Sequence, residues 1–140
     1  MRTRPRARQQ ARAARVYGVE PTGSDAISQG LAGGKSVPMT PVSVADGLNA
    51  PFAGVLPLAM IGALVEDVVL IDDELILGGL RFALERMKQV LEPAGAAALA
   101  ATLAGRIPIR AGETVAVVLS GGNIQVDRLG ELIAKADPIG

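Results

Sequence analysis

TVAVVLSGGN, residues 114–123, decides the fold: an unbroken β-prone run enters Ser-Gly-Gly-Asn. Continuous apolar character without polar alternation predicts a strand over 114–119 that is buried on both faces, as in a parallel sheet. Gly121 and Gly122 let the chain turn sharply after it and let backbone come close to a ligand. Ser120 and Asn123 then carry polar groups to the same place. As a bare pattern, Ser-Gly-Gly-Asn also serves any tight strand-to-helix turn, so its neighbours have to decide its meaning.

Working outward, residues 15–21 (RVYGVEP) and 67–71 (DVVLI) are two further short apolar runs stopped by turn or capping residues, and both predict strands. Helical signals alternate with them. A short helix is predicted before Gly33 and Gly34, a buried apolar helix over 55–65, and a helix from Asp72 to Val90. In that last helix Asp72 is the N-cap, Asp73 and Glu74 favour the first turn, and Arg81 pairs with Glu85. Gly78 and Gly79 weaken it by roughly 1 kcal/mol each. A nearly all-alanine helix starts at Pro93 and stops before Gly105, and Asp127 opens a closing helix to about Ala136. Residues 35–54, rich in Pro and Gly, are irregular. Strands alternating with helices give an α/β class, a partial three-layer sandwich with mostly parallel strands and flanking helices.

Bulk composition fits that class and excludes several chemistries. The 140 residues suit one domain, 49% are hydrophobic and only 2% aromatic, so the core is built from Ala, Val, Leu and Ile. Neither cysteine nor histidine occurs, which removes disulfides, thiolate–zinc sites, a thiol nucleophile and the commonest general base. Acid–base chemistry near neutrality then needs a shifted carboxylate, a lysine or a cofactor. Net charge is zero, yet residues 1–15 hold six arginines and no acid. The rest holds 8 basic and 14 acidic groups, a net of −6. No stretch is long enough for a membrane span, and no apolar segment follows the basic start to make it a secretory signal. The arm itself reads in three ways: a start-site or frame artefact, a solvated arm touching nucleic acid, or a transit peptide that lacks the usual serine. As a function for the whole protein, nucleic-acid binding through this arm is the least favoured, because the body is acidic and nearly free of aromatics for stacking.

In open α/β sheets ligands lie at the carboxyl ends of the strands. Glu20, Asp72 and the segment from Ser120 to Asn123 each follow a predicted strand, so this end of the sheet is the expected site.

EPAGAAALAATLAGRIP (92–108) and GETVAVVLSGGNI (112–124) resemble the closing segment of the threonine ammonia-lyase and serine racemase group. These are fold-type II enzymes of pyridoxal 5'-phosphate, related more distantly to the tryptophan synthase β chain. The resemblance continues backwards through LERMKQVLEPAGA (84–96), DVVLIDDELI (67–76), ADGLNAPFAG (45–54) and VYGVEPTGSDA (16–26). It implies the C-terminal part of a tryptophan-synthase-β-like fold over residues 16–140, with 1–15 a disordered or artefactual arm. It implies a cytoplasmic lyase that removes water and then ammonia from threonine or serine, leaving a 2-oxo acid, with a racemase-type relative as the alternative.

Site residues follow from the same resemblance. Ser120 matches the serine that hydrogen-bonds the pyridine nitrogen. A neutral serine does not keep that nitrogen protonated, which makes the ring a milder electron sink and suits β-elimination over transamination. Gly121, Gly122 and Asn123 match the loop shaping this end of the pocket, Gly47 a backbone contact near the ring, and Glu92 a pocket-side glutamate. For Glu92, a helix-start carboxylate is an equal reading. Glu20 matches a glutamate that holds Mg or another cation in some relatives, together with the backbone carbonyl at Ser24. Those relatives often place a second acid where Ala26 stands here, and a hard cation wants several oxygen ligands.

The resemblance also implies an absence. The Schiff-base lysine and the glycine-rich phosphate loop belong before residue 16, and Lys35, Lys88 and Lys135 do not match the lysine. The expectation is therefore a truncated chain of the short type without a regulatory domain. It would be inactive alone or a non-catalytic binding fragment, homo-oligomeric in its intact parent, and poorly soluble from exposed apolar surface.

Overall fold

The computed structural model describes residues 14–139, and the first 13 residues of the arginine-rich arm lie outside them. Strand β1 (Tyr17–Pro21) pairs in parallel with β2 (Asp67–Ile71) in the register Tyr17 to Asp67 through Pro21 to Ile71. Glu66 N–H donating to the Val16 carbonyl at 2.7 Å and Thr22 N–H to that of Ile71 at 2.8 Å continue the ladder at both ends. Parallel strands need a long crossover. Here it contains helix α1 (Ala26–Gly33), an irregular stretch with one 3-10 turn (Asp46–Leu48), and helix α2 (Val55–Leu64). Gly34, left-handed at φ 67, stops α1 as its sequence predicts.

Helix α3 (Asp73–Phe82) begins where Asp72 Oδ1 accepts from Leu75 N–H at 2.8 Å, the expected N-cap. It widens into a π-helical turn over Ala83–Met87 and stops at Lys88, which is left-handed at φ 58. The helix therefore ends three residues short of the expected Val90, because left-handed backbone at Lys88 cannot continue a helix. Helix α4 (Pro93–Leu103) has its proline in the first turn, and α5 (Val126–Lys135) closes the fold over Leu129 and Leu132.

The core sits on α4. One side of this helix, with Ala96 and Leu99, joins Leu77, Leu80 and Ala83 of α3 and its extension and Leu129 and Leu132 of α5. Its other side, with Ala97, Ala100 and Ala101, meets Ile71 and Ile76, with Val19 and Val69 of the sheet against them. Alanine makes α4 thin enough to fit between sheet and helix. Gly79 completes the fit: a β-carbon placed there would lie 2.6 Å from the Ala100 β-carbon. Gly79, a local weakness in propensity, is thus a close-packing contact between α3 and α4, while Gly78 faces the Asp137 carbonyl and Ile139.

Two expectations need correction. Helix α2 is not buried: among its residues only Leu58 is, while Val55 and Leu56 are 80% and 69% exposed. Its main neighbour among the described elements is α1, which it meets through Leu58 and Gly62. Residues 114–119 run without turn or bend, as a strand would, but join no ladder among the described residues. They are half-buried or exposed, because no neighbouring strand reaches them. Among the described residues, no helix is long and apolar enough to cross a membrane.

Candidate functional site

The irregular crossover is pinned where it passes the ends of the strands. Asp73 accepts from the Ser43 hydroxyl at 2.6 Å and from Val44 N–H at 2.9 Å. Buried Ser24 donates its hydroxyl to the Leu48 carbonyl at 2.7 Å. Asn49 Nδ2 holds the Ser43 carbonyl at 2.9 Å. These bonds fix the turn that presents Gly47.

Gly47 lies beside the start of α4. A β-carbon on it would stand 2.9 Å from the Ala94 β-carbon and 3.5 Å from Glu92 Oε1. From the other side comes the Ser120–Gly122 loop. Gly121 is left-handed at φ 73, and a β-carbon there would run into the Glu92 carboxylate. Its carbonyl accepts from Glu92 N–H at 3.1 Å. Gly122 faces the Val90 carbonyl, which a β-carbon would meet at 2.8 Å. Gly47, Glu92, Gly121 and Gly122 therefore converge, while the side chains of Ser120 and Asn123 make no hydrogen bond to protein among the described residues. Glu92 occupies the N-cap position of α4 but makes no side-chain capping bond. Its charge sits favourably at the helix N-terminus, and its carboxylate lies across the two glycines.

Gly95 belongs to this constellation and was not singled out in the sequence. A β-carbon there would collide with the Ser120 carbonyl, so only glycine lets the loop seat on α4. The signal was present as the one glycine in the first turn of an alanine helix. Asp73 was likewise read only as a helix-start charge, although it holds the crossover loop.

Other candidates fall elsewhere. Asp72 is engaged in capping α3. Both Glu20 oxygens serve the start of α1: Oε1 accepts from Ile27 N–H at 2.8 Å, and Oε2 from Ser28 N–H at 3.0 Å and the Ser28 hydroxyl at 2.8 Å. No group of three or more acidic, histidine or cysteine side chains converges as a metal site among the described residues. Lys88 Nζ donates to the Glu85 carbonyl at 2.7 Å.

Residues 5–121 match the family described as pyridoxal-phosphate dependent enzyme, and the chain belongs to that family. Among its relatives, serine racemase of Oryza sativa subsp. indica is 32% identical over 126 residues, covering 86% of this chain and 37% of that protein. L-threonine ammonia-lyase of Geobacter sulfurreducens is 39% identical over 123 residues, covering 86% and 30%. The structure of maize serine racemase superposes with a TM-score of 0.76 at 29% identity, over 92% of this chain and 42% of that one. The chain thus spans only about two fifths or less of these proteins. The fold is that of fold-type II pyridoxal-phosphate enzymes, and the threonine ammonia-lyase and serine racemase group is where its relatives lie.

The residues fit the ring end of such a cofactor. Glycines at 47 and 121 leave room for the Glu92 carboxylate and Gly122 for the Val90 carbonyl, and the Ser120 hydroxyl of the same loop makes no hydrogen bond to protein among the described residues.

Proposed function

We propose that this chain supplies the ring-side wall of a pyridoxal 5'-phosphate site in a lyase acting on a small hydroxy amino acid, threonine or serine. The convergence of Gly47, Glu92 and Gly121 beside the unengaged Ser120 hydroxyl carries this reading. When bound, the cofactor acts as an electron sink for bonds broken at the amino acid's α-carbon. With the cofactor bound, Ser120 would donate to the ring nitrogen without charging it, Gly121 and Gly122 would keep the approach open, and the Gly47 backbone would face the ring. Asn123 shapes the rim, and Glu92 orients groups across the glycines. A neutral hydroxyl at the ring nitrogen favours elimination of water. A racemase differs in residues outside this set, so serine racemase chemistry is the second reading, on the strength of the rice relative.

The group that holds the cofactor aldehyde and moves the α-proton is not Lys35, Lys88 or Lys135, and the phosphate cradle lies outside the described residues. Turnover therefore needs such a lysine and cradle beside these residues, and in this reading the protein acts as a cytoplasmic homo-oligomer. A cation at Glu20 and the Ser24 carbonyl would have to draw Glu20 away from Ile27 and Ser28.

The test uses 4'-deoxypyridoxine phosphate, which lacks the aldehyde and so cannot react with lysines. Titrated into the isotope-labelled 140-residue chain, it is expected to shift the amide signals of Gly47, Gly121 and Gly122. Ser120→Ala should weaken binding about tenfold, the 1–1.5 kcal/mol of one hydrogen bond. Shifts confined to other residues, or unchanged affinity in Ser120→Ala, would sink the assignment.

A further inference from the structure

We propose that Glu20, Ser24 and Ser28 form a cation-free brace: hydrogen bonds alone tie the end of β1 to the start of α1 and to the Gly47 turn, at the place where the resemblance puts a cation. That Gly47 then faces a cofactor rests on the reading above; the brace itself does not.

The donor set decides against a cation. A hard cation needs several oxygen ligands at once, and Mg2+ demands nearly ideal octahedral geometry. Glu20 has committed both oxygens, Oε1 to Ile27 N–H at 2.8 Å and Oε2 to Ser28 N–H at 3.0 Å and the Ser28 hydroxyl at 2.8 Å. The side chain at Ala26, where a second acid would be needed, is a buried methyl group.

These bonds also answer a need of α1. Asp25 stands at its N-cap but makes no capping bond, and its Oδ1 accepts from Gln29 Nε2 at 2.7 Å. The N–H groups of a first helical turn need partners from outside the helix, and the helix dipole favours a carboxylate at that end. Glu20 serves as this cap from the end of β1. Its charge is met by oriented N–H groups and a hydroxyl, in the place of a metal.

Ser24 supplies the second arm. At 1% exposure it is the one buried polar residue among the described residues, so its hydroxyl has to be bonded. It donates to the carbonyl of Leu48, the last residue of the 3-10 turn that presents Gly47, at 2.7 Å. Ser24 N–H closes on the Pro21 carbonyl at 2.9 Å and keeps the turn after β1 tight. Beside it, the Gly23 carbonyl accepts from Val42 N–H at 2.7 Å, and a β-carbon at Gly23 would run into the Val42 carbonyl. Ser24 is thus a positioning residue. It fixes the far end of the turn whose near end Asp73 holds through Ser43 and Val44. A turn held by a bound cation would follow cation concentration by mass action, whereas this one does not.

The test uses the 140-residue chain without cofactor, so it fails separately from deoxypyridoxine phosphate binding. Mn2+, a paramagnetic stand-in for Mg2+, is titrated in excess into the isotope-labelled chain. Expected are no selective broadening at the Ser24, Ile27 and Ser28 amides, and the same urea midpoint in Mg2+, K+ or tetramethylammonium chloride of equal ionic strength. Saturable broadening centred on those amides, or a cation-dependent stabilisation that Glu20→Gln removes, overturns the proposal. Glu20→Gln should speed amide exchange at Ile27 and Ser28 about tenfold, the effect of weakening one charged hydrogen bond. Ser24→Ala should move the Gly47 amide signal and speed exchange at Asn49, and Mg2+ should restore neither variant. Leu58→Ala, which also empties a buried position, is the control that leaves the Gly47 signal in place. Unchanged exchange in Glu20→Gln, or an unmoved Gly47 signal in Ser24→Ala, overturns the brace as well. Should either variant unfold, Ser28→Ala and Ser24→Cys, which each weaken a single bond, replace them with the same expected directions.

Discussion

Helices α2 and α4 are both almost wholly apolar, and neither has an amphipathic face, yet their fates are opposite. Helix α4 is enclosed by the sheet on one side and α3 and α5 on the other, with Ala96, Ala100 and Ala101 fully buried. Helix α2 leaves Val55, Leu56 and Met60 to solvent, with Phe52 just before it. An apolar helix needs neighbours all round, and sequence composition states the need without stating who meets it. The same contrast separates β1, which has a partner, from residues 114–119, which have none among the described residues. Regions with and without their neighbours can thus be told apart only by burial.

Stability measurements should sharpen this contrast first. Leu80→Ala removes a fully buried side chain and is expected to cost about 2–5 kcal/mol in urea unfolding. Leu56→Ala should change stability by less than about 0.5 kcal/mol. Equal effects would mean that α2 is covered in solution. Next in size is Asp73→Asn, which weakens charge-assisted bonds to Ser43 and Val44 and should cost about 1.5–3 kcal/mol, with faster amide exchange at Val44. Gly79→Ala tests the junction itself. Helix propensity alone predicts a gain of about 1 kcal/mol, whereas the crowding against Ala100 predicts a net loss of about 1–3 kcal/mol. Leu56→Lys combined with Met60→Lys should leave the unfolding midpoint unchanged and reduce self-association in sedimentation.

The smallest effect concerns pH. The Arg110 N–H, followed by the Arg15 charge, holds the Glu113 carboxyl below its usual value, against partial desolvation. Its folded pKa being depressed, the contribution is complete above the ordinary glutamate range and disappears as pH falls through the lowered value. A carbon-detected titration of Glu113 should move towards the ordinary value in Arg15→Gln, and added salt should shrink the difference.

Much of this was legible in the residues. Both paired strands, the Asp72 cap, the Pro93 start and the Gly34 stop follow from local chemistry that acts within a few residues. For Gly78 and Gly79, propensity concerns the helix alone, whereas their packing depends on distant residues, Ala100 for Gly79 and Asp137 and Ile139 for Gly78. Residues 114–119 have the right character for a strand, but a ladder is a property of two chains. At the site, resemblance supplied Gly47, Glu92 and residues 120–123, and the structure brings all but Asn123 into demonstrable proximity. Gly95 escaped notice because its necessity comes from the Ser120 carbonyl, a long-range contact.

The alanines of α4 also determine how this part of the molecule can move. Buried alanine has no rotamers to exchange and loses no side-chain entropy on folding, so on its alanine face α4 has no side chains to reshuffle. Any displacement of α3 or the sheet must pass through α4 as translation of a stiff rod. Glu92 and Gly95 ride at the tip of that rod, against the Ser120–Gly122 loop. The seating of that loop is therefore a readout of how α4 is seated, in the way a lever's far end reports its fulcrum.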